Sequence, residues 1–362
     1  MSIPTIPHRV LIVDDSSFYR QALKIILSKD PRLEVVGSAC DAFQAKRMVD
    51  ELAPDVITLD VEMPKVDGLE FLRRLMAHRP TPVVMCSTIA TKGSDVLMRA
   101  LESGAVGVIE KGRVGSGRHA ADIQMQICDT VRGAALAKVK PLVATPTIFG
   151  EPSSRKPSQL RRNKSGISVL GIGASTGGTE AIKSVLLGMS EDCPPVVIVQ
   201  HMPKSFTGPF AERLNNYAPM EVREARDGDI LTPGLALLSP GSHHMEVARG
   251  PTLAGEYRIS LSEGPLVSRH RPSVDVLFRS MARVVGRKGC GVILTGMGQD
   301  GADGLLEMRK AGARTYGQDQ DTCVVYGMSK MAHKAGAVQR ELPLHEIAEV
   351  VMSKPEEDQP NA

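Results

Sequence analysis

Three short strings carry residue types that together could perform acyl transfer. Gly173-Ala174-Ser175-Thr176-Gly177 is a GxSxG pattern, which places a serine hydroxyl on a tight strand-to-helix turn. His201, in Gln200-His201-Met202-Pro203, follows the apolar run VVIVQ and could serve as the base. Asp300 follows the run GVILTG through a second glycine-rich loop, Gly296-Met297-Gly298-Gln299-Asp300-Gly301. That loop also offers closely spaced backbone N–H groups for an oxyanion. Ser175, His201 and Asp300 would form a nucleophile, a base and an orienting acid on three strand ends. Each has a plainer reading. Ser175 could be structural in a glycine-rich turn, and Asp300 could be a helix N-cap. The order Ser–His–Asp also differs from that of the ordinary α/β-hydrolases. A dinucleotide site at Gly171-Ile172-Gly173…Gly177 is disfavoured, because the next strand ends in Gln200-His201 and not in an acid.

A second set lies in the first third of the chain. Asp14-Asp15 ends one apolar run, Asp60 another, Ser87 a third and Lys111 a fourth. Clustered carboxylates raise one another's pKa unless a cation sits among them, and an all-oxygen donor set with room for water suits Mg²⁺. With a lysine and a hydroxyl at the same edge, such a group could accept a phosphoryl on a carboxylate. The plainer reading has Asp14 and Asp15 capping the following helix.

The elements that must position these residues alternate regularly. Strands are predicted over 8–14, 33–39, 55–60, 82–87 and 105–110, with helices over 17–28, 41–52, 69–78, 94–103 and 119–137. This alternation predicts a doubly wound, mainly parallel sheet. Residues 140–166 hold four prolines and six Lys/Arg against one acid, Glu151, which reads as a basic interdomain linker. From 167 the alternation resumes. Strands are expected over 167–175, 194–200 and 289–296, and helices over 178–188 and 302–311, with a β-rich insertion over 221–265. The fold class is therefore α/β with two doubly wound domains. The boundaries are 1–138, a linker over 139–166, and 167–355.

Composition narrows the function. A chain of 362 residues with 42% hydrophobic and 23% charged residues is an ordinary globular protein. The net charge of +3 and the 3% aromatic content, with no Trp, argue against nucleic acid. No apolar run is long enough to span a membrane, and the N-terminus does not read as a signal peptide. The six cysteines form no CxxC pair, so neither zinc nor a disulfide framework is expected. A cytoplasmic location is expected.

The first half resembles the receiver domain of bacterial response regulators, which implies a flavodoxin-like fold. The match implies Asp60 as phospho-acceptor and Mg²⁺ held by Asp14, Asp15, Asp60 and the backbone carbonyl of Glu62, with Ser87 and Lys111 as switch residues. Two positions depart from the family: Gly112 stands where proline follows the lysine, and Val108 stands at the aromatic switch position. The second half resembles the catalytic domain of chemotaxis receptor methylesterases in GIGASTGGTEAI, QHMP, SPGSHHMEV, RPSVDVLF, LTGMGQDGADG and VVYGM. This resemblance implies Ser175, His201 and Asp300 as the triad and the Met297 N–H as oxyanion donor. Arg271 and His244 fall in matched strings without an assigned role. The implied activity is hydrolysis of glutamate γ-methyl esters on chemoreceptor cytoplasmic helices, releasing methanol, with deamidation of specific glutamines. A histidine kinase would be the phosphodonor, and no cofactor would be needed for hydrolysis. Two other readings stand beside it: a methylesterase of a non-motility pathway, and a receiver-gated binding module with an idle triad.

Overall fold

The computed structural model describes residues 6–63, 67–88, 91–111, 120–141, 165–250 and 256–354. They divide between two compact units, Met1–Pro152 and Ser153–Ala362. The linker expected over 139–166 lies, for 142–164, outside the described residues.

The first unit runs β1 (His8–Val13), α1 (Ser17–Leu27), β2 (Leu33–Ala39), α2 (Ala42–Leu52), β3 (Val56–Asp60), α3 (Gly68–His78), β4 (Val83–Ser87), α4 (Thr91–Glu102), β5 (Gly107–Glu110) and α5 (Ala120–Ala135). Its strands form one sheet in the order β2-β1-β3-β4-β5, and every pairing is parallel. The apolar runs that predicted two-sided burial behave so: β3 and β4 are buried at every residue, whereas the edge strand β2 is not. Polar N-caps start the helices. Ser16 caps α1, Asp41 caps α2 and Asp67 caps α3, each accepting a backbone N–H from the first turn. The order reverses between β1 and β3, so the crevice beyond their carboxyl ends is the expected ligand position.

The second unit runs β6 (Val169–Ala174), α6 (Gly178–Leu187), β7 (Val196–Gln200), α7 (Lys204–Asn215), β8 (Glu221–Glu224), β9 (Leu235–Leu238), β10 (His244–Arg249), β11 (Tyr257–Ser262), α8 (Val274–Val284), β12 (Gly289–Ile293), α9 (Ala302–Lys310), β13 (Arg314–Gln318), α10 (Met328–Lys334), β14 (Arg340–Leu342) and α11 (Leu344–Met352). A seven-stranded sheet has the order β14-β13-β12-β6-β7-β9-β8, again parallel throughout. The β-rich stretch 221–265 divides in two. β8 and β9 extend the main sheet, and only β10 and β11 form a separate antiparallel pair. The hairpin packs against α8, whose Val274, Leu277, Phe278 and Met281 are wholly buried. The order reverses at β6, with β7 on one side and β12 on the other, so the crevice beyond these three strands is again the expected site.

Candidate active site and phosphoacceptor site

In the second unit the sheet register brings the three expected residues level. Ala174 pairs with Gln200 and Gly173 with Ile293, so Ser175, His201 and the β12 loop all begin at the same edge. Beyond the ladder the link continues: the His201 N–H donates to the Ala174 carbonyl at 3.1 Å, and the Ser175 N–H donates to the Thr295 carbonyl at 3.0 Å. Ser175 then turns into α6 through Gly177, whose φ of +75° favours glycine. Gly296 lies directly against the serine, since a methyl there would sit 2.8 Å from Ser175 Cβ. Met297, half-buried, therefore begins its loop beside Ser175.

His201 Nε2 meets Asp300 Oδ2 at 2.8 Å. Both side chains are withdrawn from solvent, and Asp300 is 2% exposed. Asp300 does not cap its own helix: α9 has Gly301 at its N-cap, with no side-chain bond. It caps α8 instead. Oδ2 also accepts the Val274 N–H at 2.7 Å, while Oδ1 accepts the Ser273 hydroxyl at 2.7 Å and the Asp275 N–H at 3.1 Å. Burial pushes the Asp300 carboxyl up, but the bonds from His201 and Ser273 more than offset this and hold it at about 2. The positive end of α8 works in the same direction. Asp300 is thus a fixed anion at one imidazole nitrogen. The other, His201 Nδ1, is buried without a partner and is the nitrogen free to take a proton.

The sequence did not single out the groups that hold this pair. His270 stacks on His201 with ring centroids 3.7 Å apart and planes 10° apart. Burial, then the charge of the neighbouring His201, lowers the His270 imidazole well below its ordinary range, so it stays neutral. Ser273 and Gln200 are likewise tertiary contacts. Both lie inside matched strings, Gln200 in QHMP and Ser273 in RPSVDVLF, without an assigned role. His244 bonds the Pro265 carbonyl, and Arg271 donates to the carbonyls of Glu263 and Gly264. Both therefore brace the loop that presents His270.

In the first unit Asp14, Asp60, Ser87 and Lys111 are all buried. Lys111 Nζ bridges Asp14 Oδ2 at 2.7 Å and Asp60 Oδ2 at 2.6 Å. Asp14 and Asp15 are not caps of α1, because Ser16 fills that place; Asp14 Oδ1 instead accepts the Ser16 N–H. Asp15 is exposed, yet one carboxylate oxygen from each of Asp14, Asp15 and Asp60 lies within 4.8 Å of the others. Three carboxylates against one ammonium leave surplus negative charge on hard oxygen donors, which fits a small divalent cation. Burial raises Asp60 to about 6, against the pull of Lys111 and with a smaller push from Asp14. Burial also pulls Lys111 down, but its two carboxylates outweigh this and leave it raised. The Glu62 N–H donates to Asp60 Oδ1 at 3.2 Å. Ser87 Oγ donates to the Thr88 carbonyl, and Val108 is buried on β5. Gly112 lies outside the described residues. Two unanticipated residues complete the edge. The Tyr19 hydroxyl donates to the Lys111 carbonyl at 3.0 Å, and Arg20 donates to the carbonyls of Asp14 and Asp15.

Comparison with known proteins gives the following. The family described as CheB methylesterase matches residues 170–351, and that described as response regulator receiver domain matches 10–115. The "Protein-glutamate methylesterase/protein-glutamine glutaminase 3" of Geobacter metallireducens is 45% identical over 350 residues, covering 95% of this chain and 98% of its own. The "Protein-glutamate methylesterase/protein-glutamine glutaminase 2" of Rhodospirillum rubrum is 47% identical over 355 residues, covering 94% of this chain and 96% of its own. Among solved structures, the "CheB methylesterase catalytic domain" of Thermotoga maritima is 32% identical with a TM-score of 0.49, covering 51% of this chain and 97% of that one.

Proposed function

The chain belongs to the CheB methylesterase family and carries a response-regulator receiver domain ahead of the catalytic unit, and from that premise we propose that Ser175, His201 and Asp300 carry its hydrolysis. It is a protein-glutamate methylesterase and protein-glutamine glutaminase under receiver control, acting in chemotaxis adaptation. The observation that supports this triad is the bond between His201 Nε2 and Asp300 Oδ2 at the strand level of Ser175.

The chemistry follows from that geometry. Ser175 Oγ attacks the ester carbonyl and passes its proton to His201 Nδ1. Asp300 fixes the imidazole with its other proton on Nε2 and stabilises the imidazolium. The Met297 N–H stabilises the oxyanion. The imidazolium then protonates the departing methoxide, or the departing amide in a glutamine substrate, so that methanol or ammonia leaves. Water activated by the same nitrogen clears the glutamyl-serine ester.

In the receiver, Asp60 would accept the phosphoryl group. Asp14, Asp15, Asp60 and the Glu62 carbonyl would hold Mg²⁺, which offsets the charge of the incoming group. Lys111 and Ser87 would register its arrival. A histidine kinase is the phosphodonor, and chemoreceptor cytoplasmic helices are the substrate. The domains would be 1–138 and 167–355, joined by a basic tether.

The test is methanol release from methylated chemoreceptor membranes, with and without a small phosphodonor and Mg²⁺. Release should rise with the donor, fall back on chelation of Mg²⁺, and vanish in Ser175→Ala. Undiminished release by Ser175→Ala would overturn the assignment.

A further inference from the structure

The two strands that carry the nucleophile and the base part company immediately after their last ladder bond. Ser175 rises into α6, and His201 leads into α7. One side chain spans the gap. Gln200, the last residue of β7, is 3% exposed, and its Nε2 donates to the Ser175 carbonyl at 2.9 Å and to the His201 carbonyl at 3.2 Å. The acceptors are thus the backbone carbonyls of the two residues that must exchange a proton. The Ser175 carbonyl also accepts the Gly178 N–H at 2.8 Å, so the carboxamide joins the first turn of α6 to the end of β7.

The fit is tight on the helix side. A methyl group at Gly178 would lie 2.2 Å from Gln200 Oε1 and 2.7 Å from Ala174 Cβ. The glycine at 178 therefore admits the carboxamide beneath the helix. This accounts for the second glycine of the Thr176-Gly177-Gly178 turn, whose backbone is otherwise ordinary for a helix start.

We infer that Gln200 is a positioning residue for the reaction proposed above, a clamp that sets the spacing of Ser175 and His201 through their backbones. The inference rests on that reading of the site. Gln200 touches no reacting atom and carries no charge, so its loss should move the catalytic rate and leave the base's titration in place. Misplacement of a nucleophile or base by about 1 Å costs on the order of 100-fold in rate.

The experiment uses the full chain with a small phosphodonor and Mg²⁺. Gln200→Met keeps the side chain's size and removes both donors. It should lower kcat for receptor ester hydrolysis about 10- to 100-fold, with KM within about twofold and the acid limb of the pH profile unmoved. Labelling of Ser175 by a fluorophosphonate, which needs no receptor docking, should slow by a similar factor, while the thermal transition shows the protein folded. Gly178→Ala should give a comparable loss by displacing the carboxamide. The loss in Gly178→Ala combined with Gln200→Ala should be clearly less than the sum of the two single losses, because the carboxamide has gone and only Ala174 Cβ still opposes the methyl. Full kcat and labelling rate in Gln200→Met, or losses that merely track the fraction of folded protein, would overturn the inference. Independent, additive losses in the double variant would also overturn it. Undiminished labelling of Ser175→Ala would instead overturn the triad reading, and this inference with it.

Discussion

Replacing Asp300 by asparagine separates its proposed catalytic role from its structural one. Four donors converge on its carboxylate: His201 Nε2, the Ser273 hydroxyl and the N–H groups of Val274 and Asp275. An amide has one acceptor oxygen and one donating NH₂. Whichever way it turns, the NH₂ meets a backbone N–H, that of Val274 or that of Asp275. With the NH₂ toward His201, the imidazole must accept at Nε2 and carry its proton on Nδ1, the nitrogen that should receive the serine proton. The anion that stabilises the imidazolium is lost in either pose. A wrong tautomer of this kind costs on the order of 10⁴ in kcat, about 5 kcal/mol at about 1.4 kcal/mol per decade. The structural cost is separate: a buried NH₂ held against a backbone N–H costs about 1–3 kcal/mol of stability. The expected result is a loss of three to four decades in methanol release by protein that its thermal transition shows to be folded. Acid behaviour gives a second readout. Asp300 sits at about 2, below its ordinary value of 3.8. Its contribution of about 2 kcal/mol is therefore fully present above about pH 4 and lost as pH falls towards 2. Acid titration of Asp300→Asn should lack that component. Activity within tenfold of the parent would refute the triad and leave Asp300 as a helix cap alone.

Three further outcomes are expected. His270→Ala should lower kcat by up to about tenfold, the scale of one stacked aromatic pair, whereas His270→Phe should keep most of it; equal losses would show that stacking is not what matters. Gly173→Ala places a methyl 2.2 Å from Val274 Cγ1, so it should cost about 1–3 kcal/mol and, by shifting the N–H that holds Asp300, reduce turnover; Val274→Ala should restore part of both in melting and rate assays. Asp60 is raised to about 6 without a metal ion, so in Mg²⁺-free protein its carboxyl, followed by NMR, should take up a proton as pH drops through about 6. Lys111→Met removes a group that lowers that value, so protonation should begin at higher pH; an unmoved titration would refute the Lys111–Asp60 coupling.

The sheet edges were legible because most of the candidate residues end or directly follow a buried apolar run, as Ser175 follows VLGIGA and Asp60 ends VITLD. A parallel strand buried on both faces leaves little choice of where its end can point. What holds the site was not legible. His270 arrives on a loop after the β10–β11 hairpin, and the donors to Asp300 come from the start of α8, 25 to 27 residues earlier in the chain. Such contacts have no period and no spacing. β8 and β9 looked insertional for a different reason. They run parallel although only residues 225–234 connect them, and that connection, rich in turn residues and without a helix, has the character of a hairpin. Parallel neighbours usually need a longer crossover.

The place of β12 in the sheet has a consequence for the chain while it is being made. β6 is buried at every residue, yet one of its two neighbours is β12, whose residues 289–293 are synthesised more than a hundred positions later. Until then the strand behind Ser175 presents an open apolar edge, a surface prone to pairing with other chains. The nascent polypeptide likewise holds its serine and histidine well before it holds the acid that makes them competent. Completion of the sheet and assembly of the proposed triad therefore wait on the same segment, because Asp300 arrives on the loop that follows β12.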